Sequence, residues 1–175
     1  MKAVGLVTEY NPFHNGHIYH IQQAKAVTGA DVVIAVMSGN FVQRGEPALF
    51  DKWTRTQAAL ANGVDLVIEL PTFYAVQPSH LFAEGAIKLL TALGVEDVVF
   101  GSEHATVDFL NLAKQAPSVQ GGKAFQEKNQ TFAQAYATQL ESETGFKLED
   151  PNDILAFGYA KAILNLNSPI KLHAI

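Results

Sequence analysis

Apolar positions along this chain come in two alternating patterns, short continuous runs and longer stretches with helical spacing. The runs Ala3 to Val7, Asp31 to Met37, Asp65 to Leu70 and Glu96 to Gly101 read as strands, and Ile170 to Ile175 reads as a fifth. Val32 to Met37 is apolar without alternation, the pattern of a strand covered on both faces. The spaced stretches predict helices: Gly16 to Val27, stopped by Gly29, and Lys52 to Ala61, capped by Asp51 and ended by Asn62-Gly63. Others follow from a Ser79 N-cap to Leu93, from Thr106 to about Gln115, and from about Ala124 to Glu143. A final one, capped by Asn152 or Asp153, runs to Leu166. Thr72 to Pro78 reads as a loop, and Pro117 to Gly122 as the clearest linker.

Strands alternating with helices throughout predict an α/β fold, a doubly wound parallel five-stranded sheet with helices on both faces, Rossmann-like in type. Ligands of such sheets bind beyond the carboxyl ends of the strands, where the strand order reverses. The polar loops Thr8 to His17, Ser38 to Gly45, Pro71 to Pro78 and Gly101 to His104 all fall at those ends.

Composition narrows the picture modestly. With 175 residues, 48% apolar and 17% charged, residues 1–175 are expected to make one domain with its own core. The net charge of −5 argues against a broad nucleic-acid-binding face, so any RNA contact needs a local patch or a further part of the protein. No cysteine is present, which excludes thiolate metal sites and a cysteine nucleophile. No run approaches the roughly 18 apolar residues of a membrane span, and the first strand is too short for a signal-peptide core. A cytoplasmic protein without membrane contact is the expectation.

The candidate chemistry concentrates between Val4 and His20. An apolar strand feeds a turn-rich segment, Asn11-Pro12, and then His14-Asn15-Gly16-His17 opens a helix. The first amide groups of a helix lack intrahelical partners and carry the positive end of its dipole, a ready site for phosphate. His14 and His17 lie three apart, so both rings can project from the first turn. His20 reads as a polar residue on the outer helix face, Phe13 as packing, and Glu9, Tyr10 and Asn11 as residues that shape the turn. In the second loop, Ser38, Gly39, Asn40, Gln43 and Arg44 form a candidate substrate clamp, with Arg44 offering a planar fork to an anion. Asp51, Lys52, Trp53 and Arg55 read as helix start and surface. Gly101 leaves room for a base or ribose, and Asn152 is either a plain cap or a nucleotide contact. No cluster has the spacing of a dedicated metal cage.

His-x-Gly-His after an N-terminal strand resembles the nucleotide-binding signature of the HIGH superfamily. The stretches Thr8 to His17, Ser38 to Pro47, Gly101 to Glu103 and Pro151 to Leu155 together resemble one family within it, the bacterial tRNA(Met) cytidine acetate ligases. That resemblance implies ATP bound by Val7, Thr8, Glu9, Tyr10, Asn11, Pro12, Phe13, His14, Asn15, Gly16, His17, Ile18, Tyr19 and His20, with Gly101 and Asn152. It implies that His14 and His17 stabilise the α-phosphate, that Mg²⁺ travels with ATP, and that acetate is activated as acetyl-adenylate. The acetyl group would then pass to the N4 amine of the wobble cytidine of elongator tRNA(Met). Family members are more than twice this length and carry further phosphate-binding residues beyond Ile175, so the resemblance implies a catalytic-core portion with weak or no activity alone. The residues themselves leave two other readings open: a nucleotidylyltransferase acting on a phosphorylated small molecule, and a nucleotide-binding module without catalysis.

Overall fold

The computed structural model describes residues 1–116 and 132–175. Five strands build one sheet, β1 (Ala3–Thr8), β2 (Val32–Ser38), β3 (Leu66–Leu70), β4 (Asp97–Phe100) and β5 (Lys171–Ala174). All neighbours are parallel, in the order β3-β2-β1-β4-β5. The helices are α1 (Asn15–Thr28), α2 (Lys52–Ala61), α3 (Thr72–Ala75), α4 (Ser79–Ala92), α5 (Phe109–Gln115), α6 (Phe132–Thr144) and α7 (Pro151–Leu166).

Side-chain alternation along β2 explains its unbroken apolar run. Val33, Ala35 and Met37 pack with Ile21 and Ala24 of α1 and Ala59 of α2. Ile34 and Val36 face the other way, into a larger cluster with Phe82, Ile87 and Leu90 of α4 and Phe157 and Ala160 of α7. Helices therefore cover both faces, as the strand–helix alternation predicts. Gly5, in the middle of β1, faces α4, where an added Cβ would lie 2.8 Å from Leu90 Cδ2. A bare position on this central strand is what lets Leu90 seat against it.

Several boundaries differ from those read in the sequence. Thr72 to Pro78 is not all loop, because Thr72–Ala75 closes a helical turn. The N-cap of α4 is Pro78, with Ser79 already helical and making no capping bond. α5 starts at Phe109 under an Asp108 cap whose carboxylate accepts from Asn111 N, rather than at Thr106. The N-cap position of α7 falls on Asp150, whose side chain makes no capping bond, and not on Asn152 or Asp153, because Pro151 occupies the first turn, where its missing N–H costs nothing. The linker Pro117 to Gly122 and the expected helix start at Ala124 lie outside the described residues.

β1 lies between β2 and β4, so the chain leaves it in one direction through α1 and later returns to its other side through α4. The strand order reverses at this point. The carboxyl ends of β1 and β4, with the N-termini of α1 and α7 beyond them, frame the crevice where ligands of this fold class sit.

Candidate active site

β1 runs into a tight turn at Tyr10, which takes a left-handed φ of 49° and is 1% exposed. The turn folds the tyrosine ring back beneath the start of α1, edge-on to Phe13 at 4.9 Å and to His17 at 4.8 Å between centroids. Burial, eased only slightly by the adjacent Thr8 hydroxyl, pushes Tyr10 up to about 12, so it stays protonated.

The two histidines cap α1. His14 is the N-cap residue, and its Nδ1 accepts from Gly16 N at 3.1 Å. His17, three residues on, accepts from His14 N through its own Nδ1 at 3.2 Å, closing a reciprocal capping box. Both Nδ1 atoms are acceptors and therefore unprotonated, so each neutral ring carries its hydrogen on Nε2. The rings stack at 3.8 Å with 28° between their planes. Burial, with smaller contributions from His14 and His20, lowers His17 to about 4, so this ring is uncharged at neutral pH. Gly16 is also what leaves room for the cap: a Cβ there would lie 2.9 Å from His14 Cε1 and displace the capping ring.

His20 turns inward, contrary to the outer-face reading. Its Nε2 donates to Val99 O at 3.0 Å, tying α1 to β4 across the switch point, and burial lowers its pKa.

The second loop is fastened to the first by a carboxylate and a buried cation. Glu9 Oε1 accepts from Gln43 N at 2.7 Å and from Ser38 Oγ at 3.3 Å. Asn11 Oδ1 accepts from Leu49 N at 2.7 Å. Arg55, expected on the surface of α2, is 1% exposed. Its Nη1 donates to Glu9 O at 2.6 Å and Ser38 O at 3.0 Å, its Nε donates to Phe50 O at 3.0 Å, and its Nη2 donates to Gly39 O. One guanidinium thus gathers backbone carbonyls beyond the carboxyl ends of β1 and β2. Trp53 of the same helix is exposed, with Lys52 Nζ 5.3 Å from its ring centroid.

On the far side, Glu103 holds the start of α7, accepting from Asn152 Nδ2 at 2.8 Å and Asp153 N at 3.2 Å. Asp153 is buried and accepts from Ser102 Oγ at 2.6 Å, Glu103 N at 3.1 Å and His104 Nδ1 at 2.6 Å. The bond to Asp153 raises the His104 pKa. His104, Asp150 and Asp153 bring ligand-type atoms within 4.8 Å of one another, the one such grouping among the described residues. The shortest of its contacts is the His104–Asp153 bond itself, so the group reads as an ion-paired latch between β4 and α7.

Between these walls lies a cavity of about 540 Å³, a size that suits a nucleotide. Of the first-loop candidates, Val7, Thr8, Glu9, Tyr10, Asn11, Pro12, His14, His17 and His20 line it. Phe13, Asn15, Gly16, Ile18 and Tyr19 do not, Phe13 because it packs against the core and Tyr19 because it faces solvent. Gly101 and Asn152 line the opposite wall, and a Cβ on Gly101 would meet nothing within 4 Å, so the space beside it is open. Gln43 and Arg44 reach the cavity from the second loop, whereas Ser38, Gly39 and Asn40 sit behind it in the hydrogen-bonded frame. Val42, Glu46, Phe82, Phe100, Leu155 and Tyr159 complete the lining and were not singled out in the sequence.

The HIGH nucleotidyl transferase family matches residues 1–175. A protein of Leuconostoc mesenteroides named tRNA(Met) cytidine acetate ligase is 75% identical over 170 residues, 97% of this chain and 44% of that protein. One of the same name from Oenococcus oeni is 58% identical over 177 residues, 100% of this chain and 47% of that protein. The chain thus spans less than half the length of these curated relatives. A crystal structure of Thermotoga maritima TmcAL bound with α-thio ATP superposes with a TM-score of 0.88 at 42% identity, over 100% of this chain and 46% of that one.

Proposed function

This chain belongs to the HIGH nucleotidyl transferase family, and from that premise we propose that its cavity binds ATP and activates a carboxylate by adenylation. The observation that carries the proposal is the reciprocal histidine cap. It spends both Nδ1 atoms on the backbone and leaves two neutral Nε2–H donors beside the open N-terminus of α1, on the cavity wall. Donors fixed in advance around a phosphate lower the barrier when negative charge builds on it.

In the reaction proposed, acetate is the attacking group, as the names of the relatives suggest. An acetate oxygen bonds to the α-phosphorus while the bond to the bridging oxygen of the β-phosphate breaks, so pyrophosphate leaves with that electron pair. The product is acetyl-adenylate. His14 and His17 hold the phosphate oxygens, and Gly101 and Asn152 hold the nucleoside end. No side-chain nucleophile takes part, and alignment together with charge stabilisation supplies the rate. The acetyl carbon then accepts the N4 amine of the wobble cytidine of elongator tRNA(Met), releasing AMP. The net negative chain and the relatives' greater length both favour a tRNA surface outside these residues. Magnesium would travel on the phosphates. The carboxylates facing the cavity are Glu9 and Glu46, enough to touch a hydrated ion but not to enclose one.

The test is acetate-dependent exchange of labelled pyrophosphate into ATP by the protein at the full length of its relatives, followed by a search for acetylcytidine in unmodified tRNA(Met). Exchange with acetate supports the first half-reaction. Exchange driven instead by a phosphorylated acceptor, or ATP binding with no exchange under any acceptor, refutes it.

A further inference from the structure

α7 presents three residues to the cavity, Asn152, Leu155 and Tyr159, spaced to share one helix face. Asn152 stands at the helix start, held by Glu103. Tyr159 lies seven residues on, roughly 10 Å deeper by helical rise. The cavity therefore has a nucleoside end near Gly101 and Asn152, and a second end lined by Tyr159, Phe82 of α4 and Phe100 of β4. Tyr159 is 3% exposed and Phe82 is 3% exposed, while the Phe100 and Tyr159 rings lie 5.9 Å apart. The walls of this inner end are aromatic and aliphatic, and the hydroxyl of the cavity-lining Tyr159 has no hydrogen-bond partner among the described residues; the unpartnered hydroxyls of Thr8 and Tyr10 belong to side chains that line the same cavity nearer the end of β1. A buried hydroxyl on a cavity wall is satisfied when a ligand oxygen arrives.

Resting on the adenylation reading above, we propose that this inner end is the acyl subsite: the Tyr159 hydroxyl donates to an oxygen of a short-chain carboxylate, and Phe82 closes the space around its alkyl group and limits its length. Burial, with a smaller contribution from the negative charge of Glu9, raises the Tyr159 pKa and keeps the phenol protonated, the form a carboxylate needs. Arg44 lines the same cavity and supplies a positive charge for an anion. A phenol donor and an apolar wall recognise a carboxylate with a small hydrocarbon tail. They do not match the hydrogen-bonding edge of a base or the charge of a phosphorylated acceptor.

Pyrophosphate exchange measured with formate, acetate, propionate and butyrate tests this in wild type, Tyr159→Phe and Phe82→Leu, with thermal melting and ATP affinity as controls. Tyr159→Phe should raise KM for acetate about tenfold, the loss of one good hydrogen bond, with ATP affinity within twofold of wild type. Phe82→Leu should raise the propionate-to-acetate ratio of kcat/KM about fivefold or more. An unchanged acetate KM in a folded Tyr159→Phe protein overturns the subsite, as does a loss confined to ATP affinity. If Phe82→Leu melts below the assay temperature, the Tyr159→Phe result decides alone. Wild-type exchange with unresponsive variants refutes the subsite and spares the adenylation reading, whereas wild type without exchange for any carboxylate removes both.

Discussion

Arg55 is where the frame of the site can be tested most severely. Replacing it with Met keeps the length of the stem and removes the guanidinium, so the carbonyls of Glu9, Ser38, Gly39 and Phe50 lose their donor together. A hydrogen bond from a charged donor contributes about 1.5–3 kcal/mol, and a buried acceptor left unpaired costs about 1–3 kcal/mol. Phe50 is partly exposed and recovers with water. Ser38 is fully buried and does not. The four contributions share one side chain and are not additive, so a net loss of about 3–5 kcal/mol is the expected scale, as for other broken buried ionic contacts. For a chain of this length that corresponds to a fall in Tm of about 6–20 °C. Thermal melting followed by circular dichroism measures it, with Arg55→Lys as the intermediate case, since an ammonium keeps the charge but cannot span the same set of carbonyls. A fall of less than 2 °C in Arg55→Met would show that these carbonyls do not depend on the guanidinium.

Other perturbations separate cap, chemistry and charge. His14→Asn keeps a side-chain acceptor for the α1 cap while removing the Nε2–H, so it should cut pyrophosphate exchange about 10²-fold with Tm within a few degrees of wild type. Equal exchange rates would refute the donor role. His17→Ala should lower exchange on the same scale and also open the capping box, with a stability loss of about 1 kcal/mol in urea titration. Stability should drop as pH falls from about 6.5 toward 4: the unfolded chain takes up protons that His17, held at about 4, and His20, also lowered, refuse in the folded state. The His17 contribution is at most about 3 kcal/mol and nearer 1–2 kcal/mol once solvent access to its ring is counted. Urea midpoints at pH 7 and 5 check this, and a His17→Gln variant should flatten the dependence. His104 works in the opposite sense, because its pKa is raised by Asp153, so its contribution holds below about 6.5 and fades as pH rises through its folded value. Asp153→Asn should loosen the start of α7 and weaken ATP binding, read by calorimetry, with tight binding retained if the latch is dispensable.

What the sequence disclosed was what local chemistry dictates. β2 was legible because an apolar run without alternation has few other meanings, and the Asp51 cap because its carboxylate accepts from the amides of Trp53 and Thr54. The start of α7 was legible too, but Asn152 and Asp153 drew attention from Pro151, the stronger signal. Arg55 stayed hidden because its partners are backbone carbonyls from distant segments, and no side-chain pattern announces those. His20 was misplaced for a similar reason, its acceptor being Val99 O, 79 residues away. Phe82 and Tyr159 looked like ordinary core positions, and only the crossing of α4 and α7 over β4 puts them on a cavity wall. The spacing of Tyr159 from Asn152 was readable all along, but its meaning depended on knowing which face of α7 turned toward β1.

The position of β1 has a consequence for how this protein is made. β1 is made before the other four strands yet becomes the middle of the sheet, and its partner β4 lies more than ninety residues downstream, Val4 against Asp97. At typical translation speeds of about 5–20 residues per second, one edge of β1 waits several seconds for that neighbour. Until then an apolar ribbon with unpaired amides is open to any extended peptide nearby, an exposure that ends only when β4 closes the second side of β1.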